Sequence, residues 1–484
     1  MSAESASGDR PNLRLRSAQG RAAIAVTALA SGMVFLDGTV VNLALPAIGR
    51  DLDAGVASLQ WTINGYLLTL AALIIIGGSL GDRFGRRRVF LIGTVWFTAA
   101  SLICGLAPSS ELLVAARVLQ GIGGALLTPG SLAIIEAAFH PDDRAGAIGR
   151  WSGLAGVSTA LGPVLGGYLI DALSWRSVFF LNVPIGVAVL ILAARYIPET
   201  RGRADARSID ATGAALAAIG LAGVSFALIE GPELGAGSAS VVAAAVAGVL
   251  ALSAFIVVER RVVDPMLPLE IFRSRAFSAA NIITFVVYAG LGSVFFFLGV
   301  FLQVALRYSP LEAGLAFVPV TVMLLLFSAS AGRLAQRIGA RPLLTAGSLI
   351  IAGSMLMMRG INPGDEYLSD LLPAVMVFSI GLIGIVAPVT ATALSSAPEE
   401  HAGLASAVNN AVSRTGQLLA IALLPALAGL AGNDYRDPTA ITEAFHTGML
   451  TTAVLSLTGA VVAWTMLDRE VLRRPSSATA DAEG

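Results

Sequence analysis

Long apolar runs, broken by short polar connections, fill nearly the whole chain. A helix needs about 20 mostly apolar residues to cross the hydrocarbon core of a bilayer. That rule predicts fourteen spans, at 22–48, 58–80, 89–107, 112–138, 148–170, 177–196, 210–230, 238–258, 278–303, 311–332, 343–360, 370–394, 403–430 and 442–467. The run at 343–360 is short and the one at 403–430 contains Arg414, so twelve or thirteen spans are the competing counts. An even count returns both termini to one side. The expected fold class is an all-α polytopic membrane protein.

Composition agrees. The chain has 484 residues, of which 56% are hydrophobic and 13% charged, whereas soluble domains are about 25% charged. The polar start of the chain is followed by a long apolar run with no small-residue cleavage site, which reads as a first span, not a signal peptide. All 31 basic residues are arginine. Without lysine there is no Gly-x-x-x-x-Gly-Lys-Ser/Thr loop, so ATP-driven transport by this chain is not expected. The single Cys104 excludes an intrachain disulfide and reads as a small buried packing residue. The histidines have no metal-ligand spacing, and no catalytic constellation points to an enzyme. The arginine clusters alternate with spans, which marks topology and not a nucleic-acid surface.

With the N-terminus inside, 24 arginines fall on the cytoplasmic side and five outside: Arg50, Arg176, Arg307, Arg359 and Arg436. Arg117 and Arg414 remain within spans. The positive-inside rule requires such a bias, so both termini are expected in the cytoplasm.

One connection stands apart. Residues 78–88 read Gly-Ser-Leu-Gly-Asp-Arg-Phe-Gly-Arg-Arg-Arg, and residues 332–341, Gly-Arg-Leu-Ala-Gln-Arg-Ile-Gly-Ala-Arg, echo them without the acid. Two half-chains with equivalent loops suggest a repeat-built transporter. The implied organisation is a cytoplasmic tail at 1–21, a six-helix bundle at 22–196, and linkers with an inserted helix pair at 197–277. A second six-helix bundle follows at 278–467 and a cytoplasmic tail at 468–484.

Ionisable groups inside a span cost about 2.5–3.5 kcal/mol each on insertion scales and are functional candidates by default. Here they are Asp37, Arg117 and Arg414. Burial disfavours the charged form of a carboxyl and a neighbouring guanidinium favours it. A carboxylate that gained and lost its arginine would therefore bind and release a proton; a static Asp37–Arg117 pair is the alternative. Gln120 lies one turn beyond Arg117 on the same face. Arg414 either faces a cavity, where it suits an anionic or hydrogen-bonding substrate, or braces its helix. The polar residues Asn42, Asn64, Gln120, Asn281 and Gln303, with Arg414, are the expected substrate pathway.

Taken in order, these features resemble the fourteen-helix drug/proton antiporter family of the major facilitator superfamily. Residues 78–88 match its Gly-x-x-x-Asp-Arg-x-Gly-Arg-Arg loop, carried here by Gly78, Asp82, Arg83, Gly85, Arg86 and Arg87. Asp37, in Leu-Asp-Gly-Thr-Val-Val-Asn, matches the first-helix motif. Arg117, Gln120, Gly121 and Gly123 match the fourth-helix motif. Gly162, Pro163, Gly166 and Gly167 match the kinked fifth-helix antiporter motif, with Ser158 where a further glycine is usual. Trp175 to Gly186 looks like the start of the sixth helix. The resemblance implies two six-helix bundles plus two inserted helices. It also implies gating by the 78–88 loop, in which Asp82 and Arg83 would latch one conformation by tying their helices to the second half.

The expected function is proton-coupled efflux of drugs, antibiotics or similar amphipathic molecules from a bacterial cell membrane. Asp37 and Arg117 would couple it, with the proton gradient as energy source and no cofactor. Expected partners are the small-molecule substrate, protons and the lipid bilayer, with no nucleic acid, and the chain is expected to be monomeric. No further acid lies deep in the spans of the second half, which weighs against lipophilic cations as substrates. A dedicated exporter or importer of one metabolite, possibly anionic, is the alternative, and a non-transporting sensor a weaker one.

Overall fold

A computed structural model describes residues 13–201, 210–397, 402–468 and 471–472. Fourteen long helices run through it: α1 (Ala18–Asp51), α2 (Val56–Phe84), α3 (Arg86–Leu106), α4 (Ser110–Ala138), α5 (Pro141–Ala172), α6 (Ser177–Tyr196) and α7 (Ala211–Leu234). The others are α8 (Ala239–Glu259), α9 (Arg275–Val304), α10 (Pro310–Ile338), α11 (Ala340–Arg359), α12 (Tyr367–Ser395), α13 (Ala402–Leu427) and α14 (Pro438–Met466). Thirteen are long and apolar enough to cross a membrane. The remaining one, α13, has 26 residues, among them Asn409, Asn410, Arg414 and Gln417, which dilute its apolar character. Two of the expected spans are interrupted, α6 at Leu181 and α10 at Phe317.

Serine caps start several helices. Ser109, Ser238 and Ser274 each accept a backbone N–H of the first turn, and Ser309 and Glu312 form a reciprocal capping box. Such caps satisfy donors that the helix itself cannot.

The packing is two-fold. In the first half α2 and α3 pack on α4, α1 packs on α5 and α6, and α3 packs on α6. In the second half α10 and α11 pack on α12, α9 packs on α13 and α14, and α11 packs on α14. Each contact of one half thus has its counterpart in the other. The halves meet along α1–α9 and along two equivalent seams, α2–α13 and α5–α10. The inserted pair α7–α8 breaks the symmetry, because α7 lies against both α2 and α13 and covers only one seam.

The two 78–88-type loops are equivalent in three dimensions. Each turns at a glycine with positive φ, Gly85 (109°) and Gly339 (89°), a conformation that a side chain resists. The next residue then donates its N–H to the segment beyond its half's last helix, Arg86 to Thr200 O at 2.8 Å and Ala340 to Val471 O at 2.9 Å. This register sets Asp82 against Gln336 and Arg86 against Ala340.

Helix α1 begins and α14 ends at one face, here termed basal. Part of the expected N-terminal tail is docked there: Leu13 is buried, its N–H bonds Ala138 O, and Leu15 N bonds Asp143. The bundle itself begins at Ala18, inside the stretch assigned to the tail. Residues 1–12, 202–209 and 473–484, with Arg10, Arg203, Arg207, Arg473 and Arg474, lie outside the described residues, as does Arg469.

The halves are joined distally and parted basally. Distal links include Gln303 Nε2 to Leu43 O at 2.9 Å, Gln60 Nε2 to Ile421 O at 2.7 Å, and Val56 N to Gly432 O at 2.7 Å. Arg436 adds bonds to Asp53 at 2.6 Å and to Gly49 O at 3.1 Å. Along the α5–α10 seam, Gly167 and Gly314 allow backbone-to-backbone contact: a Cβ on Gly314 would lie 2.2 Å from Pro163 O. Below that level the same helices lose their neighbours. Over 141–158 of α5 only Ala147 and Ala155 are buried, and over 321–338 of α10 only Ala331 and Ala335. The result is an opening between the halves that faces the basal side.

Candidate functional site

Beside the closed end of this opening, Asp37 of α1 meets Arg117 of α4, 80 residues later. Arg117 Nη1 donates to Asp37 Oδ2 at 2.5 Å and to Gln120 Oε1 at 2.7 Å. Gln120 Nε2 donates to Asp37 Oδ1 at 2.8 Å, and Asn182 Nδ2 of α6 reaches the same oxygen at 3.1 Å. Asn182 is itself held by Ser101 Oγ at 3.0 Å. Arg117 Nε donates to Thr62 O at 2.9 Å, and its guanidinium carbon sits 4.3 Å from the Tyr66 ring centre. Asp37 is 2% exposed and Arg117 1%. Three donors on one carboxylate, two of them amides and one charged, leave it paired and dry. Such charge-assisted bonds are about twice as strong as neutral ones.

Small residues make the meeting possible. A Cβ on Gly121 would lie 2.4 Å from Tyr66 O, and one on Gly123 would lie 2.6 Å from Phe97 N. Helices α2, α3 and α4 therefore touch backbone to backbone, and Arg117 projects from that joint toward α1.

The other candidate residues separate into three groups. Asn281, Asn409 and Thr284 cluster between α9 and α13, where Asn409 Nδ2 donates to Asn281 Oδ1 at 3.2 Å and Thr284 Oγ1 at 2.9 Å. Arg414 is half-buried on α13, with its guanidinium carbon 5.8 Å from the Phe35 ring centre of α1 and its Nε without a hydrogen-bond partner. Asn42 and Asn64 are buried, and Asn64 leaves both amide atoms unpartnered. Two assignments are corrected. Gln120 is fully buried in the Asp37–Arg117 network, not in the opening, because its amide answers both partners at once. Gln303 bonds across to Leu43 O and so belongs to the distal closure.

The sequence profile of the Major Facilitator Superfamily matches residues 27–421. The chain belongs to that superfamily. As a superfamily member it is a multi-pass membrane transporter and not an enzyme. It is 36% identical over 461 residues to the methylenomycin A resistance protein of Streptomyces coelicolor, covering 94% of each chain. It is 35% identical to the multidrug resistance protein Stp of Mycobacterium tuberculosis, over 82% of this chain and 74% of that one. Among solved structures, the POT family transporter PepTSo superposes with a TM-score of 0.66 at 15% identity, covering 93% of this chain and 99% of that one.

Within this superfamily fold the 78–88 loop carries a local ion pair. Asp82 bonds Arg86, not Arg83, at 2.8–2.9 Å, and Arg86 also reaches Ala133 O at 3.1 Å. The turn at Gly85 brings Asp82, at the end of α2, to Arg86, at the start of α3, while Arg83 lies against Phe84. Glu199 caps the start of α3, accepting from Arg87 N and Arg88 N, and Arg87 reaches Ile197 O. A Cβ on Gly78 would make only ordinary contact with Pro129. These contacts all stay within the first half, so in this conformation the loop is tied to its own bundle.

The fifth-helix residues are packing elements. A Cβ on Gly162 would lie 2.8 Å from Thr39 Oγ1, one on Gly166 2.3 Å from Val40, and one on Gly167 2.5 Å from Pro310 O. Ser158 sits against Gly32 of α1, its oxygen 2.4 Å from where a Cβ would be.

Sequence reasoning missed Asn182, Ser101 and Tyr66. Asn182 was visible as a polar residue in the apolar sixth span, but nothing in one dimension says that it meets Asp37. Glu230 and Glu233 lie near the end of α7. They bond Trp61 Nε1 at 2.8 Å and Gly432 N at 3.0 Å, one residue of each half.

Proposed function

We propose that this chain is a proton-coupled exporter of antibiotics and related amphipathic small molecules in a bacterial cell membrane, working by alternating access. The observation that carries the reading is the sealed Asp37–Arg117–Gln120–Asn182 network beside an opening between two half-bundles. In the proposed cycle Asp37 is ionised while Arg117 holds it, and it takes a proton when rocking of the halves separates them. The arginine-rich basal face is the cytoplasmic side on the positive-inside rule, with both termini there, so the present conformation is the one that admits substrate from the cytoplasm. Gln303, Gln60 and Arg436 then close the external side. The chain acts as a monomer, without cofactor or nucleic acid, in contact with lipid.

The energetics are adequate. One proton entering down 100 mV supplies about 2.3 kcal/mol, which sustains a roughly 50-fold gradient of a neutral substrate. Efflux from preloaded vesicles should collapse with an uncoupler and in Asp37→Asn. Undiminished uphill efflux by that variant would refute the coupling role.

A narrower reading, export of a single antibiotic, is supported by the relative named for resistance to methylenomycin A. Competition among unrelated drugs for one efflux signal separates the two: mutual competition marks a broad pump, indifference a dedicated one.

A further inference from the structure

At mid-depth the spans carry only three ionisable side chains, Asp37, Arg117 and Arg414. Asp37 and Arg117 cancel each other inside a dry network. Arg414 does not take part. Among the described residues it has no ion pair and no hydrogen bond, its Nε is buried and unpartnered, and the rest of its side chain is half-open to the space between the halves. Its guanidinium carbon stands 5.8 Å from the ring centre of Phe35 on α1, a helix of the other half.

A lone guanidinium at this depth is costly unless something supplies a counter-charge. A planar, permanently charged fork matches a carboxylate bidentately and stacks on aromatic faces. We infer that Arg414 is the specificity-determining residue of the opening, and that the transported substrates are aromatic or conjugated compounds bearing an acidic group. The carboxylate would bridge the two accessible Nη groups of Arg414, and the rings would lie against Phe35. This inference rests on the reading of the opening as the substrate path. It adds a charge selection which that reading does not contain, since proton-coupled export is compatible with neutral or cationic cargo.

The test uses the full chain in lipid nanodiscs and three probes on one ring system: 1-naphthoate, 1-naphthamide and 1-naphthylmethylammonium. Calorimetric titration should find the acid bound about tenfold or more tightly than the amide, with the ammonium weakest, as expected for a charge-assisted bond. Arg414→Gln should remove the preference, bringing the acid to the level of the amide. Arg414→Lys should restore part of the preference, keeping charge without the fork. Because Arg414 holds no hydrogen bond and no ion pair in the fold, these variants should unfold at or above the wild-type temperature. Equal binding of acid and amide by the wild type, absence of acid binding, or a preference that survives in Arg414→Gln would each overturn the inference. Efflux of the same probes separates the two readings. If uphill efflux persists in Asp37→Asn while the acid preference stands, only the coupling proposal falls. If the preference is absent while an uncoupler still stops efflux, only the charge selection falls.

Discussion

In the first half, α1, α4 and α6 meet around Asp37, and Arg117, Gln120 and Asn182 supply its donors. In the second half the equivalent helices α9 and α14 meet through two hydroxyls, Thr452 Oγ1 donating to Ser293 Oγ at 3.0 Å. The loops differ in the same sense. Asp82 and Arg86 pair at the turn of the first half, and their counterparts Gln336 and Ala340 carry neither charge, so the ion pair is absent as a unit. One scaffold has thus been used twice, with the buried Asp–Arg pair present in one copy. A buried charge pair costs desolvation of both partners and is retained only where every lone pair is answered. The second half avoids that cost with neutral amides and hydroxyls, and presents its one mid-depth charge, Arg414, to the opening instead of to a partner.

The comparison can be broken most forcefully at Arg117. Arg117→Ala would leave Asp37 buried without its cation and should destabilise the protein by about 3–5 kcal/mol, read as unfolding in mixed micelles, along with loss of uphill efflux. A mild effect there would mean that the two halves differ less than their chemistry indicates. Asn182→Ala removes a neutral donor to a charged acceptor and should cost about 1.5–3 kcal/mol. Its second-half foil, Asn409→Ala, removes only neutral bonds and should cost about 0.5–1.5 kcal/mol in the same assay. If the two amides cost the same, Asn182 is not bonded to an ionised Asp37. The smallest effect on stability is expected at the loop. Asp82 is 44% exposed in its pair with Arg86, so Asp82→Asn should change stability by about 0–1 kcal/mol. It should slow transport while leaving substrate affinity nearly intact, and a large loss of affinity would move Asp82 into the binding path.

A second contrast concerns the seams. The α2–α13 seam is covered by α7, whose Glu230 and Glu233 grip Trp61 and the Gly432 amide, while the α5–α10 seam is bare. The body of the inserted pair is rich in Ala and Gly. The two glutamates at its distal end do more, since they bond to both halves at the level of the distal closure.

Much of this protein was written in one dimension. The bilayer forces every span to satisfy its own backbone, so runs of apolar residues translate directly into helices, and the arginine census follows from the same medium. Polar groups in that medium are rare enough for Asp37, Arg117 and Arg414 to stand out by themselves, and the echo of 78–88 at 332–341 announced the repeat. What the chain order does not contain is who meets whom. Gln120 and Asn182 turn on Asp37 because α1, α4 and α6 converge. Arg86 partners Asp82 because the turn at Gly85 sets the start of α3 beside the end of α2. Gln303 closes the distal side because α9 crosses α1. Hydropathy is a property of each residue against its solvent and survives in the sequence; the direction of a side chain within a bundle depends on helix rotation and neighbours, and only the packed structure decides it.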